Sequence, residues 1–433
     1  MNDLFINAVP VFDSSLANEK NIFLLFPIDF KKADKLVITG ENEYQIYLNG
    51  KLIGYGPSRA ALNHHRVDTY HLFNLEENNR LLIILASFNT KSFECVDEQA
   101  FIQFELFNEG KIVTYSNLDS PCYLYEGKYQ KVSRFSFQRP FVEAYNPKYD
   151  QGIFKYGHDI PYSKRELDLN RYGYLTNRTS SYPKLDRVEF SLIEKNEVSF
   201  DENKPIHDDR YYHSDFLCIY LRKEWDVDYG KIISRLVIGD ALKLDNVLKD
   251  NQSITYKYLF SVTGFTSLSI KVKTKAKLFI YFEEISVSKD KIEFNCFRNT
   301  TDNYISYELN PGEYNLTSVA PYTIQYLRVV VISGAVEVND VGVILLENPD
   351  SYRLRYKIDD KKIETILKAA RNTFASNAVD VLTDCPSRER AGWLCDSIYT
   401  GRAETTFTGF NLVERNFLEN YANYVDVGEP QKE

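Results

Sequence analysis

The chain has 433 residues, of which 44% are apolar, 26% charged and 14% aromatic, and its formal net charge is -9. At roughly 150 residues per domain that length suggests about three domains with cores of ordinary size. The acidic balance and the lack of any Lys/Arg cluster exclude a phosphate-backbone track, so no nucleic-acid partner is expected. No apolar run reaches the ~18 residues of a membrane span, so no membrane partner is expected either. The six cysteines (Cys95, Cys122, Cys218, Cys296, Cys385 and Cys395) are scattered and form no C-x-x-C. With no basic, apolar leader pattern after Met1, reduced thiols in a cytoplasm are the expectation.

Residues 20–125 read as short strands separated by turns. Lys35–Gly40 is an apolar, β-branched run ended by glycine. Tyr44–Leu48 alternates, Asn49-Gly50 supplies a hairpin turn, and Lys51–Gly56 is the return strand. Leu81–Ala86 is continuously apolar, as in a strand buried on both faces. The spacing predicts a β-sandwich of jelly-roll type over 1–140. Residues 141–230 are Tyr-, Pro- and Asn-rich and weakly periodic, which reads as an irregular connection. Strand patterns return over 231–348, at Ser234–Ile238, Leu268–Val272, Lys277–Phe282, Tyr326–Val331 and Val341–Leu345, with a turn at Pro311-Gly312. These predict a second β-sandwich.

Near Pro349 the period changes. Ile363, Ile366, Leu367, Ala370 and Phe374 form one helical stripe, and Asp359 or Asp360 supplies the N-cap of a helix over about 360–376. Two more helical patterns run from Asp396 to Phe407 and from Asn411 to Tyr424. Three helices are too few to cover their own apolar faces as a free-standing domain. They must dock on the β regions or leave unpaired faces, and self-association through those faces is expected. The polar Val427–Glu433 suits an exposed end.

The densest group of reactive residue types lies between the first two helices, from Asp384 to Asp396. It holds Asp384, Cys385, Pro386, Arg388, Glu389, Arg390, Gly392, Trp393 and Asp396. Pro386 disfavours helix at Cys385, so the run is a loop between helices. Carboxylates bind sugar hydroxyls, a tryptophan offers a flat apolar face to a sugar ring, and a carboxylic acid near them can protonate a glycosidic oxygen. The same residues also have structural readings. Asp396 could cap the next helix, Arg388 and Arg390 could pair with Glu389 and Asp384, and Trp393 could be core.

The run resembles the signature of glycoside hydrolase family 78, the α-L-rhamnosidases, which reads D-C-P-x-R-D-E-R-x-G-W-x-G-D. The matches are Asp384-Cys385-Pro386, Arg388, Glu389-Arg390, Gly392-Trp393 and Asp396. One acidic residue before Glu389 is missing, and Leu394-Cys395 replaces the x-Gly before the last Asp, so the likeness is to a divergent branch. Tyr44 through Pro57 is similar to the N-terminal jelly roll of these enzymes, and Phe282–Ile285 with Pro321–Arg328 is similar to their second β domain. The resemblance implies two β-sandwich domains followed by the first helices of an (α/α)6 six-hairpin barrel over 349–433, with most of the barrel missing. It implies inverting hydrolysis of terminal α-L-rhamnosyl groups with Glu389 as general acid. Asp384, Arg388 and Asp396 would hold sugar hydroxyls, and Trp393 would line the sugar site. Inversion also needs a base ~6.5–9.5 Å from the acid. Nothing after Asp396 matches the family's base, so the chain is expected to be inactive alone. The alternatives are a non-catalytic carbohydrate-binding protein or half of a split glycosidase that needs a partner.

No cofactor is expected. No G-x-x-x-x-G-K or G-x-G-x-x-G opens a helix, and there is no G-x-S-x-G elbow. His64, His65 and His71 show no third ligand at metal spacing, so no metal site is expected. The sequons at Asn177, Asn299 and Asn315 read as chance.

Overall fold

The computed structural model describes residues 4–96, 98–170, 173–204, 220, 222–286 and 300–424. Cys218, Cys296, Asn299 and the terminal Val427–Glu433 lie outside the described residues. The fold is mainly β, with helices confined almost entirely to the C-terminal part.

The strands of the first half are β1 (Val11–Phe12), β2 (Ile22–Phe30), β3 (Lys35–Glu41), β4 (Glu43–Leu48), β5 (Lys51–Gly56), β6 (His64–His71), β7 (Asn79–Ser87), β8 (Phe101–Asn108), β9 (Lys111–Tyr115) and β10 (Tyr123–Leu124). They form two facing sheets. One has the order β10-β2-β7-β4-β5, and the other has β1, β8, β3 and β6 at its centre. The Asn49-Gly50 turn falls where the sequence places it. Both residues take positive φ, 49° and 82°, and Leu48 pairs with Lys51 across the hairpin.

The five-stranded sheet is buried on both sides. Leu24, Phe26, Ile46, Ile83 and Leu85 face the jelly-roll core. Phe23, Leu25, Tyr47, Leu82 and Ile84 join the core of the second β region. All nine residues of β7 are buried. That double burial is why Leu81–Ala86 reads as an unbroken apolar run.

The stretch that is weakly periodic in sequence supplies strands to both halves. These are β11 (Glu143–Tyr145), β12 (Asp168–Leu169), β13 (Tyr174–Asn177), β14 (Arg187–Glu189) and β15 (Ser191–Phe200). β12 and β13 extend the jelly-roll sheet that contains β1 and β6, pairing with those two strands, while β11, β14 and β15 enter the second β region. Most are two to four residues long, too short to show a period.

A short helix, α1 (Gly230–Ser234), leads into β16 (Leu236–Ala241), β17 (Val247–Leu248), β18 (Gln252–Glu283), β19 (Tyr304–Leu309), β20 (Gly312–Thr317) and β21 (Tyr322–Leu345). Ser234 thus ends a helix, and the predicted strand starts at Leu236. The second β region is one nine-stranded sheet. Two very long strands, β18 and β21, fold it over. Gln252–Lys257 and Leu278–Glu283 both pair with Tyr326–Val331, so β18 lies along β21 twice. Repeated register shifts supply the bends. Runs that look like four separate strands in sequence are therefore segments of two.

The three C-terminal helices are α2 (Lys361–Asn377), α3 (Leu394–Thr408) and α4 (Leu412–Asn423). Asp360 caps α2, accepting from the N–H groups of Lys362 and Ile363. The helices share a small core of Phe374, Ala378, Val381, Leu382, Phe407, Val413 and Phe417. The α2 stripe reaches it through Leu367 and the buried Phe374, whereas Ile363 and Ile366 are 54% and 68% exposed. No helix of the described residues is long and apolar enough to cross a membrane.

Candidate functional site

The loop from Asp384 to Trp393 joins α2 to α3 and packs against the β regions. Several of its polar groups are spent on holding its shape. Asp384 Oδ1 accepts the Ala391 N–H at 3.0 Å, and the Asp384 N–H donates to the Ala391 carbonyl at 2.9 Å. Cys385 Sγ accepts the Glu389 N–H at 3.4 Å. Arg390 adopts a left-handed φ of 52°, which turns the chain sharply between Glu389 and Gly392.

The β regions clamp this loop. Ser136 Oγ donates to the Arg388 carbonyl at 3.0 Å, Arg139 to the Ser387 carbonyl at 2.8 Å, and Arg59 to the Arg390 carbonyl at 2.7 Å. Arg390 reaches back to Glu94 at 2.5 Å, and Glu94 also accepts from Arg139 at 2.8 Å. Burial works to raise the Glu94 carboxyl, but the two guanidinium groups prevail and hold it below the usual carboxylate range. Just before the loop, Asp380 receives Arg59 through its side chain, at 2.7 and 3.0 Å, and through its N–H at 2.9 Å. There too burial opposes ionisation and the Arg59 charge outweighs it, leaving the carboxyl depressed.

The predicted site residues divide into two groups. Glu389, Arg388 and Trp393 come together. Glu389 Oε1 accepts from Arg388 and from Gln138 Nε2, the latter at 3.3 Å, while Oε2 accepts the Trp393 indole N–H at 3.0 Å. Glu389 is only 9% exposed, whereas Trp393 is 46% exposed. The edge of the indole meets Phe93 at 5.4 Å between ring centroids. Asp384 closes its own loop, and Asp396 stands exposed in the first turn of α3. The N-cap position of α3 belongs to Trp393, which makes no side-chain cap. Asp396 is thus not the cap that the sequence suggests, although an acidic group in the first turn favours the helix dipole.

Both oxygens of Glu389 are thus engaged by N–H donors. A substrate oxygen can reach the carboxyl only when at least one of those bonds is released. The half-exposed indole is the partner with room to move.

A cavity of about 650 Å3 lies on the other side of the loop, between the jelly roll and the helices. Arg390 and Gly392 face it, together with Glu43, Arg59, Phe93 and Tyr421. Glu389, Arg388, Trp393, Asp384 and Asp396 are absent from its wall. Glu43 is pushed up to about 7, first by burial and then by the neighbouring Glu94 charge. Sequence reading missed Gln138, Arg139, Arg59, Glu94 and Asp380. Arg59 lies just past β5, and Gln138 and Arg139 lie near the end of the first β region, far from the loop in sequence, so only the fold brings them to it.

Residues 355–426 match the family model described as the bacterial α-L-rhamnosidase six-hairpin glycosidase domain. The chain is rhamnosidase-like. Over 95% of its length the rhamnosidase-like chain superposes on a family 78 rhamnosidase of Bacillus sp. GL1, with a TM-score of 0.79 and 11% identity. It is also similar to an α-L-rhamnosidase of Aspergillus terreus (TM-score 0.57, 12% identity, 91% of this chain). An α-L-rhamnosidase of Streptomyces avermitilis solved with L-rhamnose gives 0.56, 12% and 93%. The rhamnosidase-like chain spans 62% of the Bacillus structure, 42% of the Aspergillus one and 36% of the Streptomyces one. No curated protein matches it. These likenesses establish the fold: two β regions followed by helices of the six-hairpin type.

Proposed function

We propose that this chain carries the acid-bearing part of a glycoside hydrolase acting on terminal α-L-rhamnosyl groups, with Glu389 as the proton donor. The observation that carries the reading is the family match over 355–426, which contains a carboxyl group held beneath a half-exposed tryptophan. A sugar stacking on the open face of Trp393 draws the indole N–H away from Glu389 Oε2. The protonated Glu389 then gives its proton to the glycosidic oxygen as the bond to the anomeric carbon breaks. Water adds from the opposite face and loses its proton to a second carboxylate, which makes the reaction inverting. Arg388 beside Glu389 would bind a hydroxyl, as would Asp396 from the first turn of α3 if the sugar extends that far, while Asp384 holds the loop in shape.

Neither Asp384 nor Asp396 serves as that second carboxylate in this arrangement, since one is spent within its loop and the other lies open at the start of α3. The chain alone is therefore expected to turn over slowly or not at all. The test is hydrolysis of an aryl α-L-rhamnoside by the wild-type chain beside Glu389→Gln, with rhamnose binding measured in parallel. Binding weakened at least tenfold by Trp393→Ala, with little turnover, is the expected result. Robust turnover that depends on Glu389 overturns the inactivity. Absence of both binding and turnover overturns the sugar reading.

A second reading, carbohydrate binding without hydrolysis, is favoured by the cavity behind the loop, where Phe93 and Tyr421 stand beside Glu43 and Arg59. Rhamnose binding that survives Trp393→Ala and fails in Tyr421→Ala selects it. The exposed Ile363, Ile366, Leu394, Ile398 and Leu418 support a third element, association with further helices. Light scattering across a concentration series reads it out.

A further inference from the structure

Several buried carboxylates near the junction of jelly roll and helices are paired with arginine. Glu94 has Arg139 and Arg390, Asp380 has Arg59, and Asp68 has Arg178. Glu41, at the end of β3, has neither arginine nor lysine among the described residues. Its Oε1 receives one long hydrogen bond from Asn42 Nδ2, at 3.3 Å. Its Oε2 lies 3.5 Å from Nδ1 of His65 on β6. The other ring nitrogen, Nε2, lies 3.6 Å from Oε2 of Glu98, which comes from the loop between β7 and β8.

His65 is 2% exposed, and among the described residues its Nδ1 makes no hydrogen bond of good geometry, Glu41 lying 3.5 Å away. An orphaned ring nitrogen in a buried site costs free energy comparable to a lost hydrogen bond. Glu41, buried with neither arginine nor lysine beside it, adds to that cost, while the partly exposed Glu98 also accepts the Asn63 N–H. A positive charge that accepts electron pairs from nitrogen and oxygen would relieve both.

We infer that Glu41, His65 and Glu98 form a binding site for a divalent transition-metal cation of the Zn2+ class. One donor atom from each residue lies within 4.8 Å of the other two. Two ligands of one zinc ion stand about 3.4 Å apart at bond lengths of ~2.0–2.2 Å, so closure requires a shift of about 1 Å. Glu98 is the most exposed of the three and is the one placed to make it. A mixed set of imidazole and carboxylates suits zinc or manganese better than calcium, which takes six to eight oxygens. Glu41 and His65 also face the 650 Å3 cavity, which gives the ion an entry path and room for water on its remaining positions. The three donors are far apart in sequence, so no ligand spacing betrays them.

The site would fix more than itself. The loop that carries Glu98 also carries Phe93, which packs on Trp393, and Glu94, which pairs with Arg390. A bound cation ties that loop to β3 and β6 and so braces the wall against which the Glu389 loop rests.

The test uses the full chain stripped with a chelator and titrated with Zn2+ alone, with bound metal counted by mass spectrometry. One equivalent should bind and raise the thermal midpoint. His65→Ala should lose that equivalent, Glu98→Gln should weaken it at least tenfold, and His71→Ala should leave it unchanged. The Co2+-substituted protein should show d–d absorption without a thiolate charge-transfer band, which separates this site from the cysteines. Glu98→Gln alters a partly exposed group and is expected to keep the wild-type fold, so it decides the matter if His65→Ala does not fold. No saturable Zn2+ binding, or binding unaffected by Glu98→Gln, overturns the proposal.

Discussion

The five-stranded sheet and the three helices both present apolar side chains, yet these are covered in opposite ways. Every residue of β7 is buried, because cores lie against both of its faces. On α2 and α3, Ile363, Ile366, Leu394 and Ile398 are all more than half exposed. The helices are held by polar anchors at one end, namely Arg59 to Asp380, Arg66 to Glu419 at 2.8 Å, and Asn416 Nδ2 to the carbonyls of Asp380 and Arg59. The difference shows that hydrophobic burial sets the β part, whereas docking of the helical part rests heavily on a few buried charges.

That contrast can be broken most severely at Asp380. Removing it leaves Arg59 buried without its partner, and losing one member of a buried pair costs about 3–5 kcal/mol. Asp380→Ala should lower stability by about 3 kcal/mol in urea titration and strip hydrogen-exchange protection from α2–α4, while β2 and β7 stay protected. The same carboxyl carries a pH signature. Its folded value is depressed, so its contribution is present at neutral pH and is lost as pH falls below the usual carboxylate range. Asp380→Asn should abolish that acid-side loss.

Next in size is Gly392→Ala. A Cβ there would meet Phe417 Cε2 at 2.9 Å, and overpacking of this kind costs about 1–3 kcal/mol. Thermal unfolding should show the loss, with the loop pushed away from α4.

An effect of another kind, on the pH profile, belongs to Glu43. Its folded value is raised from 4.5 to about 7, so the folded state binds more protons than the unfolded state between those limits. Stability should therefore fall as pH rises from about 4.5 to about 7 and level off above. Glu43→Gln should flatten that decline. A slope unchanged in the variant would show that another group sets it.

The smallest expected change in folding stability is that of Ile366→Lys. At 68% exposure, it should alter stability by no more than about 0.5 kcal/mol. Its effect belongs instead to association, which should weaken in light scattering if the α2 face meets other helices.

Legibility from sequence followed the same division. The Asn49-Gly50 hairpin, the doubly buried β7 and the capped start of α2 were each readable, because a turn residue, an unbroken apolar run or a capping aspartate carries a local cause. The helical stripe at Ile363 and Ile366 was readable as helix but not as exposed, because exposure depends on what packs opposite. The long β18 was read as separate strands, since its bends reset the alternation of side chains. At the candidate site the Asp384–Asp396 run stood out by composition. Its partners Gln138, Arg139 and Glu94 did not, because their value lies in three-dimensional proximity to a loop some 250 residues away in sequence. The motif also concealed a division of labour: Asp384 shapes the loop, and only Glu389, Arg388 and Trp393 converge.

The sheet shared by both β cores has one further consequence, for modularity. A cut between the two β units would lay bare Phe23, Leu25, Leu82 and Ile84 over a broad flat face. Neither unit is a detachable cassette that could be grafted onto another protein or lost by recombination without exposing a sticky surface, so the two must be inherited together.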